Sequence, residues 1–172
     1  MNDPEPRSVP RTLVAGVGNI FLGDDGFGVE TVRLLARQRL PPHVEVADVG
    51  IRGVHLAYTL LDGWDTLVLV DATARGGEPG TLYLIDATAP GERPADPRAV
   101  PLDGHRMTPD AVLALLDTLC AGTNATPPRR ILVVGCEPAC LDEGVELSAR
   151  VAAAVPEAAR MVTELVSQEA VV

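Results

Sequence analysis

Residues 14–28, VAGVGNIFLGDDGFG, carry two adjacent aspartates, Asp24 and Asp25, in a glycine-rich loop directly after an apolar run. Gly16 and Gly18 suggest a dinucleotide fingerprint, but the third glycine of that pattern falls on Phe21. Carboxylates at a helix entrance also repel a pyrophosphate that needs backbone N–H groups there. One aspartate at such a position is explained by helix capping, because its side chain accepts backbone hydrogen bonds and suits the positive end of the dipole. The second is left over. A further carboxylate, Asp71, closes the apolar stretch LVLVDAT, and His105 stands in DGHRMTPD just before a helix signal. Two carboxylates and an imidazole make an O,O,N set with open positions, compatible with a first-row ion such as nickel or zinc. Taken singly, each residue has an ordinary reading as a turn, cap or surface group. Asn19 is a candidate to brace the loop or to hydrogen-bond an oxyanion, and Asp24 to support its neighbour as an auxiliary acid. His43 follows LPP in a loop and His55 falls in a helix signal, so neither is assigned to the site.

The elements that must position these residues are legible in the apolar periodicity. TLVAGV (12–17) reads as a strand, and 29–40 as a helix with Val29, Val32, Leu35 and Ala36 on one face. Then come a strand at 44–49, a helix at 53–63 and a fully buried strand at 65–73. The link ARGGEPG before the strand at 81–86 is too short for a parallel crossover, so that strand is expected to run antiparallel. Residues 87–104 form a long irregular loop rich in Pro, Asp and Gly. A helix over 107–120 follows, with Thr108 as N-cap and Pro109 in its first turn, then a strand at 129–135. The tail 145–166 carries a helical apolar stripe, with Pro156 expected to kink or restart it. Alternating strands and helices imply an α/β fold. In such sheets ligands bind outside the carboxyl ends of the parallel strands, where Asp25 and Asp71 both fall.

Composition narrows the function classes. The 172 residues fit one domain, expected at 12–172, with the polar, Pro-rich residues 1–11 as a disordered lead-in. Acidic residues outnumber basic ones 24 to 14, a formal charge of −10 that argues against nucleic acid as partner. No apolar run approaches the ~18 residues of a membrane span, and the start does not resemble a secretory signal. The cytoplasm is the expected compartment. Cys120, Cys136 and Cys140 are an odd number without a second metal-binding pair, which assigns them to packing rather than to a disulfide framework or structural zinc. A thiol nucleophile near His105 is the competing enzyme class.

Together, VAGVGNIFLGDDGFG, DVGIRGVHLAYTLL, LVLVDAT, the Gly-His step of DGHRMTPDAVLALL and ILVVGCEPACLDEGVELSARV resemble the hydrogenase maturation endopeptidases over nearly the whole chain from Thr12. The glycine-asparagine followed by an acidic pair and another glycine is the most specific of these stretches. The resemblance implies a three-layer α/β/α sandwich with a five-stranded, mostly parallel sheet and one antiparallel strand. It also implies an endopeptidase, grouped with the aspartic type, that removes the C-terminal extension of the [NiFe] hydrogenase large-subunit precursor. By position the implied metal-binding and catalytic residues are Asp25, Asp71 and His105. The nickel would come with the precursor, and the protease itself would be a monomer that rests metal-free. A non-catalytic docking or chaperone module for a metalloenzyme precursor is the alternative that the same residues would serve.

Overall fold

The computed structural model describes residues 9–89 and 108–169. Five strands, β1 (Thr12–Val17), β2 (Val44–Gly50), β3 (Thr66–Ala72), β4 (Leu82–Asp86) and β5 (Arg130–Cys136), form one sheet in the order β2-β1-β3-β5-β4. β2, β1, β3 and β5 run parallel, whereas β4 pairs with β5 antiparallel, as the short link before it requires. Four helices accompany them: α1 (Phe27–Leu35), α2 (Gly53–Thr59), α3 (Pro109–Ala121) and α4 (Ala149–Gln168).

Period-2 alternation along the central strands divides the core in two. Leu13, Ala15, Leu67, Leu69, Ile131 and Val133 meet Leu56, Ala57, Val112, Leu113 and Leu116 of α2 and α3. Val14, Val68, Val70 and Val134 turn the other way, onto Phe27, Val32 and Leu35 of α1 and Val151, Ala158, Ala159 and Val162 of α4. The result is the expected α/β/α sandwich. The chain leaves β1 on one side to form β2 and returns on the other to form β3, so the strand order reverses between β1 and β3. That switch point opens a crevice at the carboxyl ends of the strands.

Several boundaries differ from the sequence reading. α1 starts earlier, at Phe27, and ends at Leu35; the segment 53–63 divides into α2 and a 3-10 turn (Leu60–Asp62) that stops at Gly63, whose φ is 88°. Pro156 neither breaks nor restarts α4, which is one helix. The proline lies on the exposed face, where water can take the carbonyl it leaves unpaired, while Val151, Ala154, Ala158 and Val162 hold the opposite face to the sheet. Past its end, Glu169 accepts hydrogen bonds from the hydroxyls of Thr12 (2.9 Å) and Thr66 (3.1 Å) and from Arg130 (3.0 Å), tying the helix to the amino ends of three strands. Arg11, read as part of the lead-in, is anchored instead. Its N–H donates to Asp65 at 2.8 Å and its guanidinium lies 4.0 Å from the centre of the Trp64 ring. Residues 1–8 and the part of the irregular loop from residue 90 onward lie outside the described residues.

Candidate active site at the sheet switch point

The glycine loop is built for close approach of backbone to backbone. A Cβ on Gly28 would lie 2.1 Å from the Val70 carbonyl oxygen and 2.5 Å from that of Val17, so only glycine lets α1 begin directly over the ends of β1 and β3. Gly18 has φ of 125°, and a Cβ there would meet the Asp25 carbonyl at 1.9 Å. This turn folds the loop back on itself, and the Asn19 N–H then donates to the Asp25 carboxylate at 2.7 Å. The Asn19 side chain accepts from the Phe21 N–H at 2.9 Å and so braces the loop, one of the two roles considered for it. A single 3-10 turn (Gly23–Gly26) carries the acidic pair into α1.

The two aspartates of that turn have different environments. Asp25 is half-buried at the rim. Asp24 is fully buried, and it does not cap its own helix. Its carboxylate accepts the N–H groups of Ala139 (2.8 Å), Cys140 (3.0 Å) and Ser148 (2.7 Å) and the Ser148 hydroxyl (2.9 Å). Burial pushes its pKa up, but these four donors outweigh it and hold the acid below its ordinary value. Asp24 therefore ties the first loop to the segment between β5 and α4. The sequence offers no spacing signal for this contact, which spans more than a hundred residues.

Asp71 ends β3 on the face shared with Leu67 and Leu69, toward α3, and is buried with 8% of its surface exposed. Its pKa is raised well above the ordinary carboxylate value, first by burial and then by the charge of Asp25; the Ala72 N–H opposes this and the charge of Asp110 adds to it. Asp25 and Asp71 are thus brought together across the switch point, and Asp110, in the first turn of α3, faces the same place. Thr108 caps that helix as expected, accepting the Ala111 N–H at 3.3 Å. His105 lies outside the described residues. Among the described residues no group of three His, Cys, Asp or Glu is arranged to hold a metal ion, so Asp25 and Asp71 stand as a pair. Two neighbouring carboxylates that repel each other suit a cation or a shared proton. His43, whose carbonyl accepts the Thr12 N–H, sits at the amino end of β1, far from this crevice, and His55 is exposed on α2.

A carboxylate that sequence reasoning missed fixes the loop after β3. Glu137 accepts the N–H groups of Arg75 (2.8 Å) and Gly76 (3.2 Å) and the Tyr83 hydroxyl (2.8 Å), so its role is to hold the chain that leaves Asp71. The cysteines are free thiols. Cys136 is buried, and burial with the charges of Asp24 and Glu137 pushes its pKa up to about 11, the opposite of an activated nucleophile. Cys140, assigned to packing with the others, is instead exposed; its backbone, not its thiol, is what Asp24 holds.

Known proteins share the sequence pattern and the fold. A family model described as hydrogenase maturation protease matches residues 29–165. The hydrogenase expression/formation protein HoxM of Azotobacter vinelandii is 32% identical over 167 residues, which cover 96% of this chain and 76% of that protein. The hydrogenase expression/formation protein HupD of Rhizobium leguminosarum bv. viciae is 32% identical over 155 residues, 89% of this chain and 72% of that one. Among solved structures, the hydrogenase maturating endopeptidase HybD from E. coli superposes with a TM-score of 0.72 at 29% identity, covering 92% of this chain and 93% of its own.

Proposed function

The chain belongs to the hydrogenase maturation protease family, and from that premise we propose that it recognises nickel in a [NiFe] hydrogenase large-subunit precursor and removes the precursor's C-terminal extension. The observation that carries this reading is the Asp25–Asp71 pair at the switch point, where like charge and burial together leave a demand for positive charge. Asp25 and Asp71 supply two oxygen ligands, and His105, which precedes α3 in the chain, supplies a nitrogen. The start of α3 supports that third assignment, since Asp110 lies close enough to act on Asp71. In this reading the nickel is part of the substrate, and three ligands with open positions bind it only when the precursor brings it.

Peptide hydrolysis then needs a water to be deprotonated and a carbonyl to be polarised. Burial and the charge of Asp25 raise the pKa of Asp71, the direction that favours proton uptake, so an aspartic-type route in which Asp71 accepts the proton of the water is the alternative to its service as a ligand. Asp25, held by the Asn19 N–H, keeps a fixed orientation for the substrate's metal. The test is to incubate the protein with nickel-loaded and metal-free large-subunit precursor and to weigh the products. Nickel-loaded precursor is expected to lose its C-terminal extension, and the metal-free form to stay intact even after the protease has been soaked in nickel. Efficient cutting of metal-free precursor in chelator would overturn nickel recognition, and His105→Ala cutting at the wild-type rate would overturn the ligand set.

A further inference from the structure

The loop that carries Asp25 is joined along its outer edge to the segment between β5 and α4. Gly144 N–H donates to the Phe21 carbonyl, Gly23 N–H to the Gly144 carbonyl and Asp24 N–H to the Cys140 carbonyl, each at 2.9 Å, and Leu22 bridges Gly144 in the parallel sense. Phe21 and Val145 are the chain neighbours of the bridged Leu22 and Gly144. Both are open to solvent: Phe21 is 62% exposed and Val145 75%, and Leu141 on the same segment is 47% exposed. Large apolar side chains clustered in solvent mark a surface that something covers. Asp142, Glu143 and Glu146 surround them, all exposed and none in an ion pair among the described residues.

We propose that this ridge of Phe21, Leu141 and Val145, rimmed by Asp142, Glu143 and Glu146, is the surface on which the protease docks the large-subunit precursor, through a precursor segment that carries apolar side chains among basic ones. The inference rests on the reading of the chain as a precursor-processing protease. Two observations choose this occupant. The ridge adjoins the site, because Phe21 lies in the loop that carries Asp25 and the other two residues lie on the segment that Asp24 holds. The acidic rim, on a chain of net charge −10, repels both a phosphate backbone and a second copy of the same face, leaving a basic protein segment as the complement. The four hydrogen bonds to Asp24 make the ridge a rigid extension of the site, which lowers the ordering cost of binding.

The test uses the full chain and nickel-loaded precursor. Cleavage is followed with the Phe21→Ser/Leu141→Ser/Val145→Ser variant and with Val145→Ser alone, in case the triple change disturbs folding. Binding is measured separately with metal-free precursor, which is expected to stay intact, so that the complex is not consumed and the metal ligands do not enter the comparison. The triple variant is expected to raise KM about tenfold or more with kcat nearly unchanged, as loss of a docking contact that is equal in ground and transition states does. Glu143→Lys/Glu146→Lys is expected to weaken binding and to flatten its dependence on salt. Ridge variants that melt like the wild type and bind and cut with unchanged Kd and KM would overturn the proposal. Precursor that binds the intact ridge, loses affinity for the variant, yet is never cut would overturn the processing reading and leave the ridge standing; precursor that does not bind the wild type at all would overturn the ridge.

Discussion

A carboxylate that accepts four hydrogen bonds away from water, as Asp24 does, is favoured as the anion, and the backbone donors around it have no other partner of equal strength. Asp24→Asn turns one of its oxygens into a donor facing N–H groups. It is expected to cost about 2–4 kcal/mol in denaturant unfolding at neutral pH. Because the folded pKa is depressed, that stability is present above the unfolded value of 3.8 and is lost as pH falls through the folded pKa, so the gap between the variant and the wild type should close in strong acid. Asp71 has the opposite sign. Its folded pKa is raised, so its ionisation destabilises the fold as pH climbs from 3.8 through the raised value, and above that the penalty is constant. Asp71→Asn is therefore expected to melt at a higher temperature than the wild type at pH 7, with the difference vanishing in acid, while precursor cleavage is lost. A variant that loses both activity and stability would point to Asp71 as a structural residue. Cys120, Cys136 and Cys140 replaced together by Ser are expected to leave kcat intact, since Cys136 is buried with a raised pKa and the Cys140 thiol is directed to Asp142.

At the scale of elements, the site depends on how closely α1 sits on the sheet. Gly28 allows the helix to start between the carbonyls of Val17 and Val70, and this closeness is what sets the Asp25 turn beside the end of β3. Gly28→Ala places a methyl where backbone oxygens stand at 2.1 and 2.5 Å, and neither β1 nor β3 can yield without disturbing both cores. The expected cost is about 1–3 kcal/mol in denaturant unfolding, the range for overpacking. Cleavage should fall further than stability accounts for, because the displaced helix carries Asp25 away from Asp71. Unchanged kcat/KM in a variant so destabilised would separate the helix position from the chemistry.

At the scale of the whole molecule, the sandwich is held by two apolar layers and by carboxylates with protein partners, none of which calls for a structural metal. Chelator is accordingly expected to leave the melting temperature of the isolated protein unchanged, a result that scanning calorimetry would check; a fall of several degrees would indicate a resident ion. No helix among the described residues is long and apolar enough to cross a membrane. Much of this plan was legible in the sequence because it rests on local signals. Period-2 and helical apolar patterns gave the five strands and four helices, the brevity of ARGGEPG made β4 antiparallel, and Thr108 with Pro109 marked the start of α3. Strand ends then put Asp25 and Asp71 on one rim, since the carboxyl ends of parallel strands share an edge. What only the tertiary structure decided were contacts between segments distant in the chain: Asp24 tied to residues 139–148, Glu137 pinning the loop after β3, and Pro156 carried through an unbroken helix. A carboxylate's partners are chosen by whichever backbone N–H groups packing brings near it, and a proline's effect by which face the sheet covers. Neither is written in local spacing, so Asp24 and Asp25, identical and adjacent in sequence, were told apart only by the fold around them.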